Sequence, residues 1–164
     1  MSDKKEIVRF YQMMRLVDKE ALHLEQVTHR FFDNQPSFTL EWLAEKLRST
    51  QGIDQLESFT AKFSRLQDTL GDKLLPHFLK IAAEFVGTAI ENLNRAEKLG
   101  LIPDAQLWLG ARQLRNLLIH EYIEDLTVLK ESLEQAKAVV PVLIKAAENI
   151  KIYAQKIELE LNPQ

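Results

Sequence analysis

The sequence predicts an all-α protein, an antiparallel helical bundle with extra flanking helices, and two observations carry that reading. Gly and Pro number only five each in 164 residues, while Leu, Ala, Glu, Lys and Gln, all strong helix formers, are abundant. Apolar residues also recur at spacings of three and four along most of the chain, the period of a helix with one buried face. A composition of 46% apolar and 27% charged residues suits one domain spanning residues 1–164 and is unlike disordered or collagen-like sequence.

Taken in order, Ile7, Phe10, Tyr11, Met14 and Val17 begin an apolar stripe that continues through Leu22 and Val27, predicting one long amphipathic helix. Asp33, Asn34, Gln35 and Pro36 end it. A short helix is expected from about Thr39 to Leu47. The turn Ser49-Thr50-Gln51-Gly52 then introduces a helix with Phe59, Phe63, Leu66 and Leu70 on one face, which Pro76 bends or interrupts. The next helix runs from about Thr88 to Leu99, with Gly100 as its stop, because Gly accepts the left-handed conformation without steric cost. Pro103 and Asp104 restart the chain as the first turn of a helix reaching about Tyr122. Asp125 caps a further helix, and Pro141 either begins or kinks the last one, where Val142, Ile144, Ala147, Ile150 and Tyr153 supply buried positions.

Charge and residue usage narrow the function. With 21 Lys and Arg against 24 Asp and Glu, the formal charge of −3 excludes an extensive basic surface that coats nucleic acid, yet it leaves room for a local phosphate site. The absence of cysteine excludes disulfides, thiolate metal sites and cysteine nucleophiles. The opening MSDKKEIVRFYQMMR scatters charges where a signal peptide needs an apolar run. No segment approaches the roughly 18 to 20 apolar residues that span a bilayer, so a cytoplasmic protein without a membrane partner is expected.

Histidine is the natural proton carrier near neutral pH. Glu20 and His23 have the Glu-x-x-His spacing of a di-iron bundle ligand pair, but no second copy accompanies them, so neither a metal nor another cofactor is expected. His29 and His77 lack a partner at a meaningful spacing and read as structural. His120 differs, because it lies in RNLLIHEY, Arg115 to Tyr122, where a guanidinium, an amide, an imidazole and a phenol occupy two turns of one helix. Arg grips two oxygens of a phosphate with a fixed fork of donors, and His moves a proton to or from a ribose or leaving oxygen.

At about 100° per residue, Arg112, Asn116 and His120 form one stripe and Arg115, Ile119 and Tyr122 another, so a single helix does not bring Arg115 and His120 together. Two copies packed about a two-fold axis border one cleft with both stripes, which predicts a homodimer. Two readings stand on spacing alone. In one, these groups handle phosphate; in the other, Arg115 pairs with a carboxylate, Asn116 bonds a neighbouring helix and His120 and Tyr122 are half-buried polar residues. Arg95, Lys98, Arg112 and Arg115 outweigh Glu91, Glu97 and Asp104 by one charge before the chain turns acidic, which tolerates an anionic ligand at the motif. Arg65 and Lys73 are weaker candidates for phosphate contact, with solvated ion pairs the simpler account.

The segment WLGARQLRNLLIHEY, Trp108 to Tyr122, resembles the signature of the HEPN superfamily and its HepT-like branch, Arg-x4-His-x-Tyr with Asn after the Arg. Arg115, Asn116, His120 and Tyr122 fit every fixed position, with Trp108 and Arg112 upstream, and FSRLQDTLGDKLLP, Phe63 to Pro76, is similar to an earlier helix of that group. The resemblance implies a HEPN-like bundle that dimerises and acts as a metal-independent endoribonuclease toxin, with Arg115 and His120 catalytic and Asn116, Tyr122 and Arg112 supporting catalysis or phosphate binding. It further implies an antitoxin partner, an MNT-type nucleotidyltransferase that modifies Tyr122 with AMP. Added phosphate there would repel RNA from Arg115. The same resemblance also covers non-catalytic subunits that bind a nucleotidyltransferase or a nucleotide.

Overall fold

The computed structural model describes the backbone of residues 4–120 and 125–161, and the side chains of residues 4–118 and 125–158. Among the described residues every regular element is helical: α1 (Lys4–Phe32), α2 (Leu40–Lys46), α3 (Thr50–Asp68), a π-helical turn (Thr69–Leu74), α4 (Leu75–Ile81), α5 (Ala89–Lys98), α6 (Ala105–His120) and α7 (Leu126–Leu161). The protein is therefore all-α, and no helix among the described residues is long and apolar enough to cross a membrane.

Short polar side chains set the starts. Thr39 accepts the Trp42 N–H at 3.0 Å, Ser49 the Gly52 N–H at 3.0 Å, and Thr88 the Glu91 N–H at 3.2 Å. Asp125 takes the Thr127 and Val128 N–H groups at 3.0 and 3.3 Å, as the sequence leads one to expect. The stops are equally local. Asp33 and Asn34 turn left-handed (φ 50° and 57°), a conformation these two residue types tolerate, and Gly100 does the same at φ 77°.

Four expectations change in detail. Thr50 to Gly52 form the first turn of α3 and not a preceding turn, because Ser49 supplies the cap. Pro103 and Asp104 lie before α6, with Asp104 accepting the Gln106 N–H at 2.8 Å from outside the helix. Pro76 leaves no break: it sits in the first turn of α4, and the irregularity appears upstream as the widened π turn. Pro141 does not begin a helix, since α7 runs from Leu126 to Leu161 through it. Its exposed ring simply forgoes one hydrogen bond, to the Lys137 carbonyl.

Contacts running in opposite chain sense fix the topology. Tyr11 meets Glu158 and Asp18 meets Lys151, so α1 and α7 are antiparallel. Phe31 stacks on Phe59 while Phe10 meets Phe78, so α1 is also antiparallel to the continuous run from α3 to α4. Helix α6 packs on α3 and on α7, which closes a ring of four long helices. Phe31, Phe32, Phe59 and Phe63 fill one end of its core, and Phe10, Phe78 and Leu79 the other. Leu22, assigned to the buried stripe of α1 by spacing, is exposed, and Leu24 takes the core position. Likewise Leu143 and Ala146 join Ala147 and Ile150 in the core, whereas Val142, Ile144 and Tyr153 are only partly covered.

Candidate functional site

Helix α6 is held by one apolar edge. Ala105, Trp108, Ala111, Leu114 and Leu118 step by three and four and are buried against the bundle. Its opposite face is open: Gly110, Gln113, Asn116 and Leu117 are exposed, and nothing lies within 4 Å of a Cβ built on Gly110. Between these faces sit Arg112 and Arg115, half-buried along their stems.

Both arginines turn toward the same neighbour. The Arg115 guanidinium donates from Nη1 to Asp68 Oδ1 at the end of α3, and Arg112 donates from Nη2 to Asp72 Oδ1 in the π turn. Helical spacing assigns the two arginines to different stripes, but their reach brings both heads to one edge, where acids four residues apart on one helix face arginines three apart on its antiparallel neighbour. The arginine side chains are 28% and 29% exposed, and the aspartates 47% and 48%. The heads therefore remain open to solvent beside their partners.

The π turn fits closely beneath this pair. A Cβ on Gly71 would lie 3.0 Å from Trp108 Nε1 and 3.5 Å from Arg112 Nη2, so only glycine lets the turn approach α6 without displacing the indole. The Trp108 N–H is buried without a hydrogen-bond partner among the described residues, and so are both amide atoms of Gln67, which precedes Asp68. π-Helical turns of this kind are common at functional sites.

On the α1 side of the same turn, Glu20 is buried and Thr69 lies beside it. Burial pushes its carboxyl above the ordinary carboxylate range, while the Thr69 hydroxyl and the charges of Arg65, Lys73 and His23 pull it back. Arg65 and Lys73 are exposed and act on Glu20 through space. Glu20 is buried and His23 exposed, and no cluster that would hold a metal ion occurs among the described residues.

Two other histidines gain partners. His77, which had none by spacing, hydrogen-bonds through Nε2 to Glu6, 71 residues away, at 3.0 Å to both its carboxylate and its carbonyl. A hydrogen bond from Lys80 holds the Glu6 carboxyl below its usual range; burial opposes it, and the charges of Lys80, His77 and Arg9 add to the lowering. His29 pairs with Asn34 at the end of α1.

The remaining expected site residues divide. Asn116 is exposed on the open face, one turn from Arg112. The backbone of position 120 closes α6 in the register of Arg112 and Asn116, and the His120 side chain lies outside the described residues, as does Tyr122 altogether. Sequence reasoning missed Asp68, Gly71 and Asp72. Their only signal was a pair of acids at helical spacing opposite a pair of arginines, with no indication of which helices are neighbours.

A cavity of about 560 Å³ opens between the end of α1 and the middle of α7, floored by Phe32, Val140, Pro141 and Ile144. It contains none of the motif residues, and its lysines are engaged, Lys137 with the Gln35 carbonyl and Lys145 with Glu148. Arg112 and Arg115 lie outside this cavity. Compared with protein-family models, curated proteins and solved structures, the chain matches none.

Proposed function

We propose that the chain is a HEPN-type endoribonuclease of the HepT-like branch, acting without a metal ion on RNA at the α6 edge. The observation that carries this reading is the pair of partly exposed guanidiniums, Arg112 and Arg115, side by side on a helix whose register continues to His120. Arg115 stabilises charge building on the phosphoryl oxygens, and His120 moves the proton. The ribose 2′-oxygen bonds to phosphorus as it loses its proton, the bond to the 5′-oxygen breaks, and that oxygen takes up a proton, leaving a cyclic phosphate and a 5′-hydroxyl. Asn116 orients His120 or the phosphate from one turn away.

The open face of α6 supports a homodimer in which two copies border one cleft. Leu107 and Leu117 are 38% and 41% exposed on this helix, giving a second copy an apolar surface to cover. In the same reading, an MNT-type nucleotidyltransferase silences the protein by transferring AMP to Tyr122. Bulk and negative charge would then sit two residues beyond His120.

A second reading is favoured by the ion pairs themselves. Asp68 and Asp72 neutralise both arginines within one chain, which suits a non-catalytic subunit that binds a nucleotidyltransferase or a nucleotide through this edge. Incubating purified protein with labelled single-stranded RNA in EDTA separates the two. Cleavage supports the nuclease; intact RNA together with tight nucleotidyltransferase binding supports the subunit.

A further inference from the structure

We propose that Asp68 and Asp72 are positioning residues that orient Arg115 and Arg112 toward a phosphate group, an inference that rests on reading the α6 edge as a phosphodiester site. The contacts have the economy that such a role needs. Each carboxylate takes one terminal nitrogen, Nη1 of Arg115 and Nη2 of Arg112, out of a guanidinium that carries five N–H donors. A one-point contact restricts the guanidinium to one side and leaves its other donors for a ligand.

Free arginine side chains carry large rotamer entropy, which an anion must otherwise freeze on binding. Here the acids freeze it in advance. Both pairs are partly exposed and so add little to folding, which leaves their repeat along one edge unexplained by stability. Gly71, between the two acids, keeps the backbone close enough to Trp108 and Arg112 for the second pair to form. The stretch from Asp68 to Asp72 thus supplies the other half of the site whose first half is α6.

The test uses the full chain with 15N-labelled arginine and inorganic phosphate as the probe. In the wild type the Arg115 Nε–H group is ordered and phosphate shifts it. Asp68→Ala removes the acceptor, so Arg115 becomes mobile and phosphate affinity falls by about three- to thirty-fold, the upper figure corresponding to the whole rotamer entropy of one arginine. Asp68→Asn keeps an acceptor oxygen and therefore keeps Arg115 ordered, with affinity equal to or above that of the wild type because a negative charge has gone. Asp72→Ala acts in the same way on Arg112.

Unchanged order of Arg115 in Asp68→Ala overturns the proposal. So does phosphate binding in Asp68→Ala equal to or tighter than in the wild type, the mark of a carboxylate that only competes for the guanidinium. These readouts need no RNA turnover. An ordered, Asp68-dependent, phosphate-binding Arg115 in a protein that leaves RNA intact upholds the positioning role and retires the nuclease reading alone.

Discussion

Replacing Gly52 with alanine pits two opposed effects of known size against each other at the start of α3. Alanine favours a helix interior by about 1 kcal/mol over glycine. Its methyl, however, would fall inside the van der Waals shell of the Lys46 carbonyl oxygen and 2.8 Å from the Lys46 carbonyl carbon. These are backbone atoms at the end of α2, so relief requires the two helices to separate, an overpacking strain of about 1–3 kcal/mol. The displacement also strains the cap, since Ser49 Oγ lies 3.0 Å from the Gly52 nitrogen and 3.4 Å from the Lys46 oxygen, and loss of such a cap costs about 1 kcal/mol. Strain and cap together exceed the propensity gain by about 1–3 kcal/mol. For a chain of this length each kcal/mol moves Tm by about 2–4 °C, so Gly52→Ala should melt about 2–12 °C lower by calorimetry. Ser49→Ala isolates the cap and should lose about 2–4 °C. A Gly52→Ala protein as stable as the wild type would refute the close approach of α2 and α3.

Other perturbations have equally definite signs. Glu20 is raised by burial, so its neutral form suits the fold; the stability it contributes is present below the ordinary carboxylate pKa and is lost as pH rises through the higher folded value. Glu20→Gln stays neutral throughout and should therefore unfold at higher urea than the wild type at pH 7, with the difference vanishing near pH 4. A constant difference at both values would show that Glu20 does not titrate across this range. Pro141→Ala restores a donor for the Lys137 carbonyl inside α7; relief of about 3 kcal/mol, less about 1 kcal/mol for a freer unfolded chain, should raise Tm by about 4–8 °C. A lower Tm would mean that the helix around residue 141 is shaped to require proline.

The class and most helix boundaries were legible because they are local. Thr39, Ser49, Thr88 and Asp125 announce their own caps, and Asp33, Asn34 and Gly100 their own left-handed stops. Prolines misled because their cost depends on what the neighbouring turn can absorb. Pro76 is accommodated by a π turn that no residue type advertises, and Pro141 by an exposed position in a very long helix. Leu22 was misplaced because it lies five residues from both Val17 and Val27, off the spacing of three and four, whereas Leu24 lies seven after Val17 and three before Val27.

For the site, the sequence placed Arg112 and Arg115 on one helix, and their common direction came only with the packing of α3 against α6. Asp68 and Asp72 precede Arg115 and Arg112 by 47 and 40 residues, as Glu6 precedes His77 by 71, and pairings at such separations are decided by topology. The burial of Glu20 beside Thr69 was likewise invisible in the Glu-x-x-His spacing that it shares with His23.

The most direct measurement is the rate at which folded His120→Ala cleaves single-stranded RNA in EDTA, relative to the wild type at equal concentration. Loss of a positioned proton carrier should slow cleavage by about 10²- to 10⁴-fold while the helical circular dichroism signal stays unchanged, because alanine favours helix. A folded His120→Ala protein that cleaves as fast as the wild type would contradict the account.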